Sequence, residues 1–209
     1  MIDPFLRRKK QQFMKEDPSY IGGIDKDIKK LVDKINSSDD YYTTSSCSGR
    51  IMLIKEKEQK EPGLFVWVKH DKVDFEEIKS EIEKASKNKN SEKVNSFSDS
   101  PKPQSLQGFR DDLIYFKQEA CLVVVACRTL ENAQALLDKA QFAGWKNSGI
   151  IATKKRIILQ LISTERMDIP VINKGKILID DEALKIVIAE ANSKLGRTRE
   201  KISKFFNNL

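Results

Sequence analysis

A single histidine, three cysteines and no apolar run of membrane length set the first limits on this chain of 209 residues. A membrane helix needs roughly 18 or more consecutive apolar residues, and nothing here approaches that, so no membrane association is expected. Cys47, Cys121 and Cys127 form no C-x-x-C pair. Their odd number argues against a disulfide framework. With only His70 to join them they make no four-ligand zinc set, so no metal is expected. The segment MIDPFLRRKK lacks the apolar core of a signal peptide, which makes the cytoplasm the expected location. There is no P-loop and no G-x-G-x-x-G, so the glycine-rich turn of Rossmann cofactor sites is missing.

What the chain has in abundance is charge. Lys and Arg number 38 against 31 Asp and Glu, a net charge of +7, with 33% charged and 39% hydrophobic residues. That is the balance of a globular protein with a heavily charged surface. The positive excess admits a nucleic-acid partner without demanding one.

Periodicity divides the chain as follows. A basic amphipathic helix covers Phe5–Glu16. After Gly22-Gly23, a second helix carries Ile24, Ile28, Leu31, Val32 and Ile35 at helical spacing. A strand over 41–46, a CSGR turn and a strand over 50–55 follow. Glu56–Gly63 is a charged turn, and strand Leu64–Lys69 ends at His70. Phe75, Ile78, Ile82 and Ala85 mark a third helix. Residues 87–107 are Ser/Asn/Lys-rich and twice interrupted by proline, the composition of a mobile insert. Leu113–Phe116 reads as a strand, and CLVVVAC (121–127) as a strand buried on both faces. Thr129 is placed to cap helix Leu130–Ala143, which Gly144 ends. Strands follow at 150–153 and Arg156–Ser163, then an irregular segment to Lys176 and a short strand Ile177–Ile179. The last helix runs from Asp181 to Asn207, with Leu184, Val187, Ile188, Ala191 and Leu195 as its apolar stripe. Lys194, Arg197, Lys201 and Lys204 form a separate basic stripe on it, which a solvated face would also explain. The expected fold is a single α/β domain over 1–209: a non-Rossmann mixed sheet, flanking helices, and a long C-terminal helix.

The run Tyr41–Arg50, YYTTSSCSGR, concentrates the chemistry. It begins as a strand, because Tyr and Thr favour extended backbone. It then opens into a loop of hydroxyls, N–H groups, one thiol and one guanidinium. Those donors suit an anionic or carboxylate-bearing ligand, although a plain Ser/Thr-rich turn would look the same. Histidine is the side chain able to take and release a proton near neutral pH, and His70 stands where an apolar strand ends. Asp25 opens a helix and can be a structural cap, a ligand contact, or both. Cys47 could be a nucleophile beside Arg50, with His70 as base, but no spacing signature supports a triad. Arg50 is better suited to holding a carboxylate or phosphate. The turn Asn147-Ser148-Gly149 is explained by turn chemistry alone.

Together, GGIDKDI, TTSSCSGR, WVKH and WKNSGI resemble the wybutosine-synthesis methyltransferases, from about Lys15 to the C-terminal helix. Around 117–120 the chain reads KQEA, where that family usually has a proline after the glutamate. The insert at 87–107 is longer than the family leads one to expect. The resemblance implies an α/β fold outside the Rossmann methyltransferases. It also implies S-adenosylmethionine-dependent methylation of N4, a ring nitrogen of the tricyclic base beside the anticodon, with the anticodon loop of tRNA-Phe as partner. In that family the hydroxyl–cysteine–arginine motif, one aspartate and one histidine gather into the active centre. Here these correspond to Asp25, His70, Ser45 and Ser46 as catalytic residues, and to Thr43, Ser45, Cys47, Gly49 and Arg50 as donor-binding residues. Asp25 or the serine hydroxyls would position the reactants and His70 would remove the proton, while Cys47 packs or touches the donor. A non-catalytic RNA-binding module is the rival expectation, and a cysteine hydrolase a third.

Overall fold

Apolar spacing and turn residues convert into fourteen elements in the computed structural model, which describes residues 3–14, 23–55, 63–87 and 113–209. In chain order they are α1 (Pro4–Phe13), α2 (Lys26–Ser37), β1 (Tyr41–Cys47), β2 (Arg50–Lys55), β3 (Phe65–Lys69), α3 (Phe75–Lys87) and β4 (Leu113–Glu119). Then follow β5 (Leu122–Cys127), α4 (Leu130–Phe142), β6 (Gly149–Ala152), β7 (Ile157–Ile162), β8 (Met167–Asn173), β9 (Lys176–Ile177) and α5 (Asp181–Asn208). Beyond Lys87, the insert expected at 87–107 lies outside the described residues. So do the end of the first expected helix and most of the Glu56–Gly63 turn. The α/β class without Rossmann topology, with flanking helices and a long last helix, is what the strands and helices form.

Chain contacts divide the protein into two compact units. The first comprises Met1–Arg50, Glu119–Glu165 and Lys194–Leu209. Its sheet has the order β1-β5-β7-β6, antiparallel throughout. One face carries Val123, Val125, Cys127, Leu159 and Leu161 into a core shared with Ile28, Leu31, Val32 and Ile35 of α2, the apolar side of α4, and Phe205. Ile24 was expected on the buried stripe of α2, but it precedes the helix and is exposed. Trp145 is fully buried, tilted against Phe205 with ring centroids 5.4 Å apart, and its Nε1 donates to the Lys201 carbonyl at 3.1 Å. Thr129 does cap α4, its hydroxyl accepting from Asn132 N at 3.1 Å.

Strand β5 was expected to be buried on both faces, yet Leu122 and Val124 are only half-buried. On their face α1 covers the far end, where Phe5 meets Tyr42 at 5.2 Å between ring centroids. Burial pushes the Cys121 thiol up to about 12, with Ser163 opposing it, and burial pushes Cys127 up to about 12 as well. A thiol whose folded pKa lies above its unfolded value stabilises fully below the unfolded pKa, and that stability is lost as pH rises toward the folded one. Unfolding free energy is therefore expected to fall between about pH 9 and 12, by about 2 kcal/mol at pH 10.5 from Cys121. Denaturant titrations at pH 8 and 10.5 check this, and the decline should be shallower in the Cys121→Ala protein.

The second unit comprises Ile51–Gln118 and Arg166–Ser193, with sheet order β3-β2-β4-β8-β9. Its core includes Ile51, Met52, Leu53, Phe116, Val171, Ile172, Ile78, Ile82, Leu184 and Ile188 from β2, β4, β8, α3 and the first half of α5. The segment expected to be irregular after Ser163 contains strand β8. Pro170 hides it from periodicity, because proline cannot donate to a ladder. Here the ladder tolerates it: β9 reaches only Ile172 and Asn173, and the β4–β8 register shifts between Ile114 and Tyr115, where Pro170 pairs. Beyond β3, Asn192 pins the chain by accepting from Val73 N at 3.0 Å and donating to Val73 O at 2.8 Å.

Candidate active site

The run TTSSC does not stay in one alternation. Thr43 faces Val125 and Ser45 faces Val124, so Thr44 is an extra residue in β1, a bulge. Opposed residues share a face. Thr43 and Ser46 therefore lie on the side of Val125 and Val123, under the helices, while Ser45 and Cys47 lie on the side of Tyr42. Thr43 is tied to α2, its N–H donating to Asn36 Oδ1 at 2.8 Å and its hydroxyl accepting from Asn36 Nδ2 at 2.9 Å. Ser45 is the exposed hydroxyl of the strand.

At the strand end the turn Cys47–Arg50 is gripped from several sides, all within the first unit. Asp25 stands at the N-cap position of α2, yet its carboxylate makes no cap bond there. Instead Asp25 Oδ2 accepts from the backbone N–H of Ser48 at 2.8 Å. The Ser48 carbonyl accepts from Arg199 Nη1 at 2.6 Å, and Arg199 Nη2 meets Asp27 Oδ2 at 2.8 Å. Gly49 has φ +90, and a Cβ there would stand 2.9 Å from the Glu119 carbonyl oxygen and 3.4 Å from Thr198 Cγ2. Arg50 Nε pairs with Glu119 Oε2 at 2.7 Å. Ser48 is fully buried, and its hydroxyl meets no hydrogen-bond partner among the described residues. Such a group costs about 1–3 kcal/mol to bury unmatched.

The Cys47 thiol is raised. Burial is the largest cause, and the charges of Asp25 and Glu119 add to it against the Gly49 backbone bond and Arg50. A raised, half-buried thiol is a poor nucleophile. Cys47→Ser should therefore keep at least a tenth of the wild-type turnover in a product assay. Loss of all turnover in a folded variant would reinstate the nucleophile.

The structure thus brings Asp25, Cys47, Gly49 and Arg50 together at one turn, with Ser45 and Ser46 on the strand that leads into it. His70 belongs to the second unit, half-buried just past β3, three residues before the Val73 backbone that Asn192 holds. Sequence reasoning missed Ser48, Glu119 and Arg199. No local pattern marks Arg199, because it falls outside the basic stripe of the last helix. The Asn147–Gly149 turn is structural: the Ser148 hydroxyl donates to Trp145 O at 2.5 Å and accepts from Ile162 N at 3.0 Å.

The fold is an α/β architecture outside the Rossmann class, with its polar turn at a strand end rather than in a glycine-rich loop. The chain belongs to the methyltransferase TYW3 family, whose model matches residues 6–209. It is 30% identical to the tRNA(Phe) 7-((3-amino-3-carboxypropyl)-4-demethylwyosine(37)-N(4))-methyltransferase of Methanocaldococcus jannaschii over 98% of this chain and 96% of that protein. It is also 30% identical to the tRNA wybutosine-synthesizing protein 3 homolog of Xenopus laevis, over 99% of this chain and 75% of that one. Among solved structures it is similar to the PH1069 protein from Pyrococcus horikoshii, with a TM-score of 0.75 and 28% identity, covering 97% of this chain and 92% of that chain. The protein is thus a methyltransferase, and no described helix is long and apolar enough to cross a membrane.

Proposed function

We propose that this chain uses S-adenosylmethionine to methylate the N4 ring nitrogen of the demethylwyosine-type base beside the anticodon of tRNA(Phe). The observation that carries this reading is the bond from Ser48 N–H to Asp25, which joins the two sequence motifs into one structure. The residues fit such a donor. Ser48 offers a buried hydroxyl without a partner among the described residues, Ser45 an exposed one, and Asp25 a carboxylate suited to an ammonium or ribose hydroxyl. Arg50 brings a guanidinium with five donors, oriented by Glu119, toward a carboxylate or phosphate. When bound, the donor would supply a methyl group on a sulfonium for in-line displacement.

The chain's own work is then alignment and proton removal. A near-attack geometry can supply several kcal/mol of the barrier, and the rigid turn under Asp25 and Arg199 provides the fixed frame. The acceptor nitrogen must lose a proton. His70 is the base on chemical grounds, as the only imidazole in the chain. Asp25 holds the turn, and Ser46 and Cys47 shape it. Thr43 serves through its bonds to Asn36 rather than by direct contact.

The test is incubation of the protein with labelled S-adenosylmethionine and tRNA(Phe) carrying the tricyclic base, followed by nucleoside mass analysis. One added methyl on that base is expected. Tight tRNA binding with no methyl transfer would contradict it and favour the RNA-binding module.

A further inference from the structure

The two ends of the first unit's sheet carry different chemistry. The row Cys47–Leu122–Ile162 closes one end, beside the CSGR turn. The row Tyr41–Cys127–Ile157 closes the other, five residues away along β5 and β7 and six along the bulged β1, or roughly 17 Å at about 3.4 Å per residue. At that far end a cleft of about 360 Å³ opens between the start of α1, the end of β5 and the β6–β7 hairpin loop. Its charged lining is Asp3, Arg8, Arg128, Lys154, Lys155 and Arg156, five cations against one anion.

These cations differ in what they already hold. Arg128 is committed: it pairs with Asp3 at 2.6 Å and Asp40 at 3.0 Å, and its guanidinium lies 5.4 Å from the Phe5 ring centroid. It consumes the only acid in the lining and anchors the floor. Arg8, Lys154, Lys155 and Arg156 are exposed and engage no acid among the described residues. The basic stripe of α5 behaves in the opposite way. Arg197 and Lys201 both close on Glu165, and Lys204 lies 5.1 Å from the Phe142 ring centroid. Two cations of the stripe that stands out in the sequence share one acid, Glu165, while the hairpin-loop cations engage none among the described residues.

We propose that this cleft is a second contact for RNA, binding phosphodiester backbone while the CSGR end does the chemistry. The proposal rests on the tRNA reading above, and names where the rest of that substrate lies. Uncompensated lysines and arginines on a hairpin loop suit phosphates, whose neutralisation releases counterions and makes affinity salt-dependent. Phosphate contacts position a nucleic acid without reading its sequence.

The experiment measures binding of labelled tRNA(Phe), with and without the tricyclic base, across a salt series for wild-type protein and for Lys154→Ala/Lys155→Ala/Arg156→Ala. Each lost phosphate contact removes about 0.7–0.9 from the slope of log affinity against log salt. A slope reduced by about 2–3, at least a tenfold affinity loss at low salt, and equal loss for both tRNAs are expected. S-adenosylmethionine affinity and melting temperature should match wild type. A slope equal to wild type, or no RNA binding by wild type, overturns the proposal. Failure of the methyltransferase reading shows separately, as salt-dependent RNA binding intact but no methyl transferred.

Discussion

Replacing Asp25 with alanine is expected to lower donor affinity and methyl transfer by about 10- to 100-fold while leaving the protein folded. The carboxylate makes a charge-assisted bond to Ser48 N–H at 2.8 Å rather than capping its own helix. Hydrogen bonds to charged groups contribute about 1.5–3 kcal/mol, and each 1.36 kcal/mol is a factor of ten in rate or affinity. Its loss frees the Ser48 N–H side of the turn and leaves the bond from Arg199 to the Ser48 carbonyl on the other. Asp25→Asn separates geometry from charge, because an amide oxygen can accept the same bond. If Asn restores donor binding, Asp25 acts by shaping the turn. If Asn is as poor as Ala, its charge meets the ligand directly. Kinetics of an Asp25→Ala protein indistinguishable from wild type would remove this residue from the account.

Gly49→Ala is expected to cost about 2–4 kcal/mol of folding stability. At φ +90 an alanine is strained by roughly 1–2 kcal/mol. Its Cβ also meets the Glu119 carbonyl oxygen at 2.9 Å, a contact with backbone that cannot swing aside. Overpacking of that kind adds about 1–3 kcal/mol. Gly23→Ala is the matched control, since nothing lies within 4 Å of a Cβ there, and it should change stability little. Urea unfolding of the two variants beside wild type decides the matter. Equal midpoints for Gly49→Ala and Gly23→Ala would show that the turn is not tightly held.

Much of this molecule was legible in its sequence because the signals were local. The stripe Ile28, Leu31, Val32 and Ile35 marks α2, Thr129 and Gly144 bracket α4, and alternation reveals most strands. What escaped depended on partners far along the chain. Strand β8 contains Pro170, which only the limited reach of β9 makes tolerable. The bulge at Thr44 cannot be read from YYTTSSC, yet it decides which hydroxyls share a face with Cys47. Asp25 looks like a cap, and only the arrival of Ser48 shows that its carboxylate points elsewhere. Arg199 lies 151 residues from Ser48, and no spacing rule links them. The basic stripe of α5 was visible, but its pairing with Glu165 was not.

The central claim is that the CSGR turn, held by Asp25, is the donor site. Calorimetric titration of S-adenosylmethionine into wild-type, Asp25→Ala and Arg50→Ala proteins tests it most directly, with circular dichroism confirming that each is folded. The account predicts measurable binding to wild type that weakens at least tenfold in both variants. Wild-type affinity in both folded variants, or no binding to any of the three even with tRNA present, would contradict it.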